Sequence, residues 1–251
     1  MISGVVNWHI GRCGSSVLGA LLAQHSQIDY ANEIYSRYMP RRRGFEVVPA
    51  MEKVLDNARA NVFKNWHLIE VKHLADQNLG LYPDCDLGDW LDLMLSRGYR
   101  HHIVMCRRNG LRRIVSHLRA ARTGQYVVNA SISLKPPMAV HIDINSIQHG
   151  FASRPLLSWL DLYEQSHERL LRRLECYSNE LEFIEIVYEK HVQQNPIDAY
   201  GMVCDLLGLE LEHVTIQHQR INPGSMSTLI SNFDQVKSCL LPTRFAWMLD
   251  E

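Results

Sequence analysis

Near the start of the chain, Gly11-Arg12-Cys13-Gly14-Ser15-Ser16 has the composition of an anion cradle. It follows an apolar run, Val5–Ile10, and precedes a helix-like run with Val17, Leu18, Leu21 and Leu22 at core-facing spacing. Glycines let a backbone turn and bring its N–H groups close to a ligand. A helix start adds unpaired N–H donors and the positive end of the helix dipole. Arg12 and the hydroxyls of Ser15 and Ser16, which also suit a helix cap, complete a cradle for phosphate or sulfate. A nucleotide-triphosphate loop of the form Gly-x4-Gly-Lys-[Ser/Thr] would place a lysine after its second glycine. Here two residues separate the glycines and the lysine is absent. On these residues alone, a tight strand-to-helix turn explains the segment equally well.

A second cluster, "CRRNGLRRIVSHL", shifts that balance. Leu111, Ile114, Val115 and Leu118 mark an amphipathic helix that follows a strand ending near Cys106. With a helix start near Asn109, Arg108, Arg112 and Ser116 fall on one stripe. Guanidinium and hydroxyl groups together suit a phosphate monoester. A solvated basic face accounts for Arg113 and Arg122, but less well for a serine adjoining the apolar side.

The remaining chain must position these groups. Strand-like and helix-like runs alternate along it. "IDYANEIY" reads as a short strand ending near Glu33, and "MEKVLDNARANVFKNWHLIEVKHL" as a helix followed by an extended segment. "WLDLMLSRG" is a helix with Gly98 at its end, and "RPLLSWLDLYEQSHERLLRRLECY" a long helix. "LEFIEIVYE" is a strand, and "PIDAYGMVCDLLGL" a helix with Pro196 near its start. "PRRRG" is loop-like, and 123–150 lacks a steady period. This alternation predicts an α/β three-layer sandwich with a mostly parallel central sheet. Ligands of such sheets sit at the carboxyl ends of strands, where both clusters fall.

Composition bounds the rest. A formal charge of −1 offers no global attraction to nucleic acid or anionic lipid. No apolar run approaches the ~20 residues of a membrane span, and no signal peptide is evident. The six cysteines are scattered without Cys-x-x-Cys spacing, which fits a reducing, cytoplasmic setting. Among 13 histidines no His-Glu-x-x-His occurs, and no bound metal is expected. One domain spanning 1–251 is expected, with 123–150 as an acceptor-side loop or cap.

The segments "GRCGSSVLGALLAQHSQI" and "RRNGLRRIVSHLRAARTGQY" together resemble the two signature sites of sulfotransferases that use 3′-phosphoadenosine 5′-phosphosulfate. The likeness is to the bacterial carbohydrate, lipid and small-molecule branch. "VYEKHVQQNPIDAYGMVCDLLGL" and "ISNFDQV" extend it more weakly. Cys13 stands where the family usually has serine, Ser16 for threonine, and Gly110 for a frequent proline.

The resemblance implies a P-loop-like sulfotransferase fold and sulfuryl transfer to a hydroxyl or amine of a small-molecule, sugar or lipid acceptor. It implies that Gly11, Arg12, Cys13, Gly14, Ser15 and Ser16 hold the 5′-phosphosulfate, and that Arg108 and Ser116 hold the 3′-phosphate. Glu33 matches the family's glutamate base. His73, in "VKHL", competes for that role, because the family's cytosolic members carry Lys-Thr-His with histidine as base. Lys72 is a candidate for the sulfuryl oxygens. Tyr126, Trp66 and Trp159 are candidates for the acceptor pocket, although Trp159 with Leu156, Leu160 and Tyr163 reads as core. The alternatives are a P-loop-type nucleotide phosphotransferase and a non-catalytic anion- or nucleic-acid-binding module built on the arginine helix.

Overall fold

The computed structural model describes residues 2–40, 44, 47–60, 62–128, 138–149, 152–219 and 223–250. The strands are β1 (Ser3–His9), β2 (Ile28–Tyr30), β3 (Trp66–Lys72), β4 (Tyr99–Cys106), β5 (Ile147–His149), β6 (Ala152–Arg154) and β7 (Glu182–Val187). The helices are α1 (Ser15–Leu22), α2 (Met51–Arg59), α3 (Leu87–Ser96), α4 (Gly110–Thr123), α5 (Leu156–Glu175), α6 (Pro196–Leu207), α7 (Met226–Leu229) and α8 (Phe233–Leu240). The chain divides into two compact units. One comprises Met1–Cys106 with Ser166–Ile216, the other Arg107–Gln165 with Gln217–Glu251.

The first unit holds a five-stranded sheet in the order β2-β3-β1-β4-β7, with every described pairing parallel. Along β1 and β3 the register runs from Ser3↔Trp66 to His9↔Lys72, so their last residues lie side by side. Alternate side chains of each strand enter opposite cores. On one face Val6, Trp8, Ile69, Val71 and Val104 pack with α2, α3 and the second half of α5. On the other, Val5, Leu68, Ile103 and Met105 pack with α1 and α6. Helices on both faces of a parallel sheet make three layers, the expected α/β architecture.

Several boundaries differ from the sequence reading. β2 stops at Tyr30, three residues short of Glu33, because Asn32 turns the chain with φ of 61°. Ser15 and Ser16 do not cap α1; Gly14 occupies the cap position with φ of 89°, and the serines form the first helical turn. Residues 41–43 of the "PRRRG" segment lie outside the described residues, as do 129–137 and 150 of the acceptor-side segment.

In the second unit, Asn109 caps α4 by accepting the Arg112 N–H at 2.8 Å. β5 and β6 form a small antiparallel pair. Trp159 is core, its indole N–H donating to the Ile147 carbonyl at 2.9 Å. Arg113, expected in solvent, is buried with its guanidinium 3.8 Å from the Tyr163 ring centroid. Stacking on an aromatic face offsets part of the cost of burying a guanidinium. Arg119 is buried as well, and Arg122 is exposed as expected.

Two buried histidines of the first unit make its stability pH-dependent. The Trp8 indole N–H donates to His102 Nδ1 at 2.8 Å, which places the ring's proton on Nε2, 3.2 Å from the Tyr99 carbonyl. Burial lowers the His102 pKa to about 4. Burial, and then the Arg59 charge, lower that of His67 to about 4. A depressed histidine pKa means that the unfolded chain takes up the proton first. Stability is therefore full above the unfolded value near 6.5 and falls as pH drops toward 4. Each such proton contributes about 1.4 kcal/mol per pH unit within that window. Urea unfolding between pH 6.5 and 4.5 should show His102→Gln flattening the slope by about that amount. An unchanged slope would mean that His102 is already charged in the fold.

Candidate functional site

At the carboxyl end of β1 the backbone enters the left-handed region three times, at Gly11 (φ 80°), Arg12 (φ 60°) and Gly14 (φ 89°). Cys13 between them is buried. A Cβ on Gly14 would come within 2.9 Å of Val192 and 3.0 Å of Tyr188, so both conformation and space demand glycine there. Arg12 has no such exemption. Holding an arginine left-handed costs roughly 1–2 kcal/mol. Ser15 is buried and Ser16 exposed, both in the first turn of α1, where backbone N–H groups have no intrahelical acceptor.

The loop rests on a polar network inside the sheet. Gly11 N–H donates to His9 Nδ1 at 3.0 Å. His9 Nε2 lies 3.3 Å from Glu70 Oε2, and Asn7 Nδ2 donates to Glu70 Oε1 at 3.2 Å. Asn7, His9 and Glu70 are all essentially inaccessible to water. The Tyr30 hydroxyl donates to Asn32 Oδ1 at 3.3 Å, and burial followed by the Glu70 charge pushes its pKa up, so it stays a donor. Two demands on His9 conflict. Burial opposes its charge, and Glu70 beside it favours it. Yet Nδ1 accepts the Gly11 N–H, and only a neutral ring keeps that lone pair. The loop geometry therefore belongs to the ring protonated on Nε2 alone, facing Glu70.

Beside the loop, Lys72 Nζ contacts both carboxylate oxygens of Glu33 at 2.7 Å. Ser36 Oγ donates to the same carboxylate, and Asn32 Oδ1 accepts the Glu33 N–H at 2.8 Å. Asn78 clasps the Lys72 backbone, its Oδ1 accepting the Lys72 N–H at 2.7 Å. A Cβ built on Gly11 would stand 3.7 Å from Lys72 Cε, so the lysine stem runs past the loop. Burial would raise the Glu33 carboxyl; the Lys72 charge, with hydrogen bonds from Lys72 and Ser36, outweighs that and holds it down to about 2.

His73 is not brought to this pair. Its N–H continues the ladder to the His9 carbonyl at 3.2 Å, and alternation turns its side chain to the Val71 face of the sheet, away from Lys72. There it is buried and lines a cavity of about 900 Å³ with Tyr82, Ser166 and Arg169. Trp66 stands at the opposite end of β3 from Lys72, packed edge-on against His101, and so cannot line a site at the carboxyl ends. In the second unit, Ser116 is buried on α4 and Arg108 is exposed just before its cap. Arg112, one turn before Ser116, donates to the Gly224 carbonyl at 3.1 Å. Tyr126 is about half exposed.

Asn7, His9 and Glu70 were not singled out from the sequence. Their signal was polar residues at alternate positions in otherwise apolar strands: Asn7 and His9 in β1, Glu70 and Lys72 in β3.

A parallel five-stranded sheet covered on both faces, with a glycine turn after its middle strand, defines a P-loop-like α/β fold. Among solved structures the chain is similar to a sulfotransferase from Alicyclobacillus acidocaldarius, at 13% identity and a TM-score of 0.51. That match covers 99% of this chain and 94% of the other. The sulfotransferase domain from the curacin biosynthetic pathway also matches, at 12% identity and a TM-score of 0.42, covering 92% and 83% of the two chains. No family model and no curated protein matches. The first likeness establishes the sulfotransferase-type fold.

The tautomer assigned to His9 is open to measurement. In the free protein, nitrogen NMR should show a His9 ring with one protonated and one pyridine-type nitrogen, identified by its loss in His9→Gln. Two protonated nitrogens would show the Gly11 contact to be broken.

Proposed function

We propose that the chain is a sulfotransferase that moves the sulfuryl group of 3′-phosphoadenosine 5′-phosphosulfate to a hydroxyl or amine of a small-molecule, sugar or lipid acceptor. The observation that carries this reading is the Lys72–Glu33 pair beside a strained Gly11–Gly14 loop. The pair sets a cation and a carboxylate where one group must bind anionic oxygens and another must take a proton. The loop N–H groups and Arg12 hold the 5′-phosphosulfate. The sequence resemblance gives the 3′-phosphate to Arg108 and Ser116.

In this reaction the acceptor oxygen or nitrogen bonds to sulfur while the bond from sulfur to the 5′-phosphate oxygen breaks. The acceptor proton passes to Glu33, and adenosine 3′,5′-bisphosphate departs with the electron pair. Charge grows on the leaving phosphate, and donors already fixed around it stabilise it without reorganisation. Glu33 at about 2 is a weak base while Lys72 is bound to it. A donor whose oxygens draw Lys72 away removes the principal charge that lowers Glu33. The base thus gains strength when the donor is in place, which limits proton abstraction from an acceptor bound alone.

Radiosulfur-labelled donor offered to a panel of phenols, sugars and hydroxylated lipids tests this reading. Arg12→Ala should cut transfer roughly 10²–10³-fold. Glu33→Gln should cut it roughly 10²–10⁴-fold while leaving the affinity for adenosine 3′,5′-bisphosphate nearly unchanged. Transfer at wild-type rate in Glu33→Gln would remove that residue as the base.

A further inference from the structure

On the α5 face of the sheet, away from the loop network, three metal-ligating side chains converge. Cys106 ends β4, Glu185 lies on the neighbouring strand β7, and His167 reaches them from α5. Glu185 Oε1 is the hub, 2.9 Å from His167 Nε2 and 3.5 Å from Cys106 Sγ. All three donor atoms lie within 4.8 Å of one another. We propose that Cys106, His167 and Glu185 bind a divalent cation of the zinc type through thiolate, imidazole and carboxylate, with a fourth position open to water or another small ligand.

The donor set suits such an ion. Sulfur with imidazole selects zinc and its neighbours over magnesium or calcium, which take oxygen ligands. With bonds of about 2.0–2.3 Å, a tetrahedral ion sets neighbouring donors roughly 3.3–3.8 Å apart. Two separations are 2.9 and 3.5 Å and the third is at most 4.8 Å, so side-chain adjustments of under about 1 Å close the site. Two paired strands and a packed helix carry the donors, and rigid elements hold a ligand set better than loops.

Access and proton balance agree. Cys106 forms the buried floor, while the side chains of His167 and Glu185 are 19% and 36% exposed, so one side of the cluster is open to an entering ion. Without metal, a thiol beside a carboxylate is a poor arrangement, because S–H is a weak donor. Burial, then Glu185, push the Cys106 thiol pKa up. An entering cation reverses that order. The thiol proton leaves to solvent, and the His167 proton moves from Nε2 to Nδ1. Nδ1 is buried and makes no hydrogen bond among the described residues, so no contact at that nitrogen has to break when it takes the proton.

This proposal is independent of the sulfotransferase reading and is tested without turnover. Cobalt(II) is titrated into reduced, chelator-treated protein. The expected result is a one-to-one complex with a thiolate-to-cobalt charge-transfer band and tetrahedral ligand-field bands, both abolished by added zinc(II). Cys106→Ser should lose the charge-transfer band, and His167→Gln should bind at least about tenfold more weakly, as loss of a ligand exceeds loss of its supporting contacts. Absence of the band in the wild type, or its survival in Cys106→Ser, would overturn the site. Should Cys106→Ser fail to fold, His167→Gln decides: cobalt affinity equal to wild type rejects the proposal.

Discussion

Glu70 is a carboxylate sealed between two sheet strands, and the organisation of the site depends on how it is satisfied. Asn7 and His9 reach it from β1, so one buried acid ties the two strands together at their carboxyl ends. Removing Asn7 leaves a buried polar group short of its hydrogen bond, a loss of roughly 1–3 kcal/mol. The arrangement fixes more than register. With its proton on Nε2, 3.3 Å from Glu70, His9 presents Nδ1 to Gly11, and the loop leaves the strand in its left-handed path. Register then places Lys72 beside His9, with Glu33 across from it.

This order explains why a costly backbone is tolerated. Arg12 is held at positive φ by neighbours that have no alternative: Gly11 is hooked from below, Cys13 is buried, and Gly14 is wedged against Tyr188 and Val192. Strain in the loop is offset by the network under it. The Lys72–Glu33 pair likewise holds two charges ready in each other's company. A ligand that takes the lysine changes the chemistry of the carboxylate it leaves behind.

Much of the fold was legible because period and punctuation agreed. Leu111, Ile114 and Val115 face the core of their unit as their spacing predicts, and Gly98 ends its helix region left-handed. The failures were local competitions. Serine is a good helix cap, but Gly14 was already in the cap position with a conformation the serines could not share. Arg113 reads as a surface residue until Tyr163, fifty residues later, supplies a ring to cover it. The loop, Glu33 and Lys72 were visible from residue type and family resemblance, whereas His73 was separated from them by the alternation of one strand. Cys106 and Glu185 stand 79 residues apart, and only strand pairing joins them. Spacing rules describe ligands on one element, and this cluster draws on three.

We propose the Gly11–Ser16 loop as an anion site for a bisphosphorylated adenosine. Calorimetric titration with adenosine 3′,5′-bisphosphate, set beside ATP with magnesium, tests it most directly. The expected result is tight bisphosphate binding that weakens in Arg12→Ala and again in Arg108→Ala, with no comparable binding of ATP. Bisphosphate binding indifferent to Arg12, or binding of ATP with magnesium alone, would contradict it.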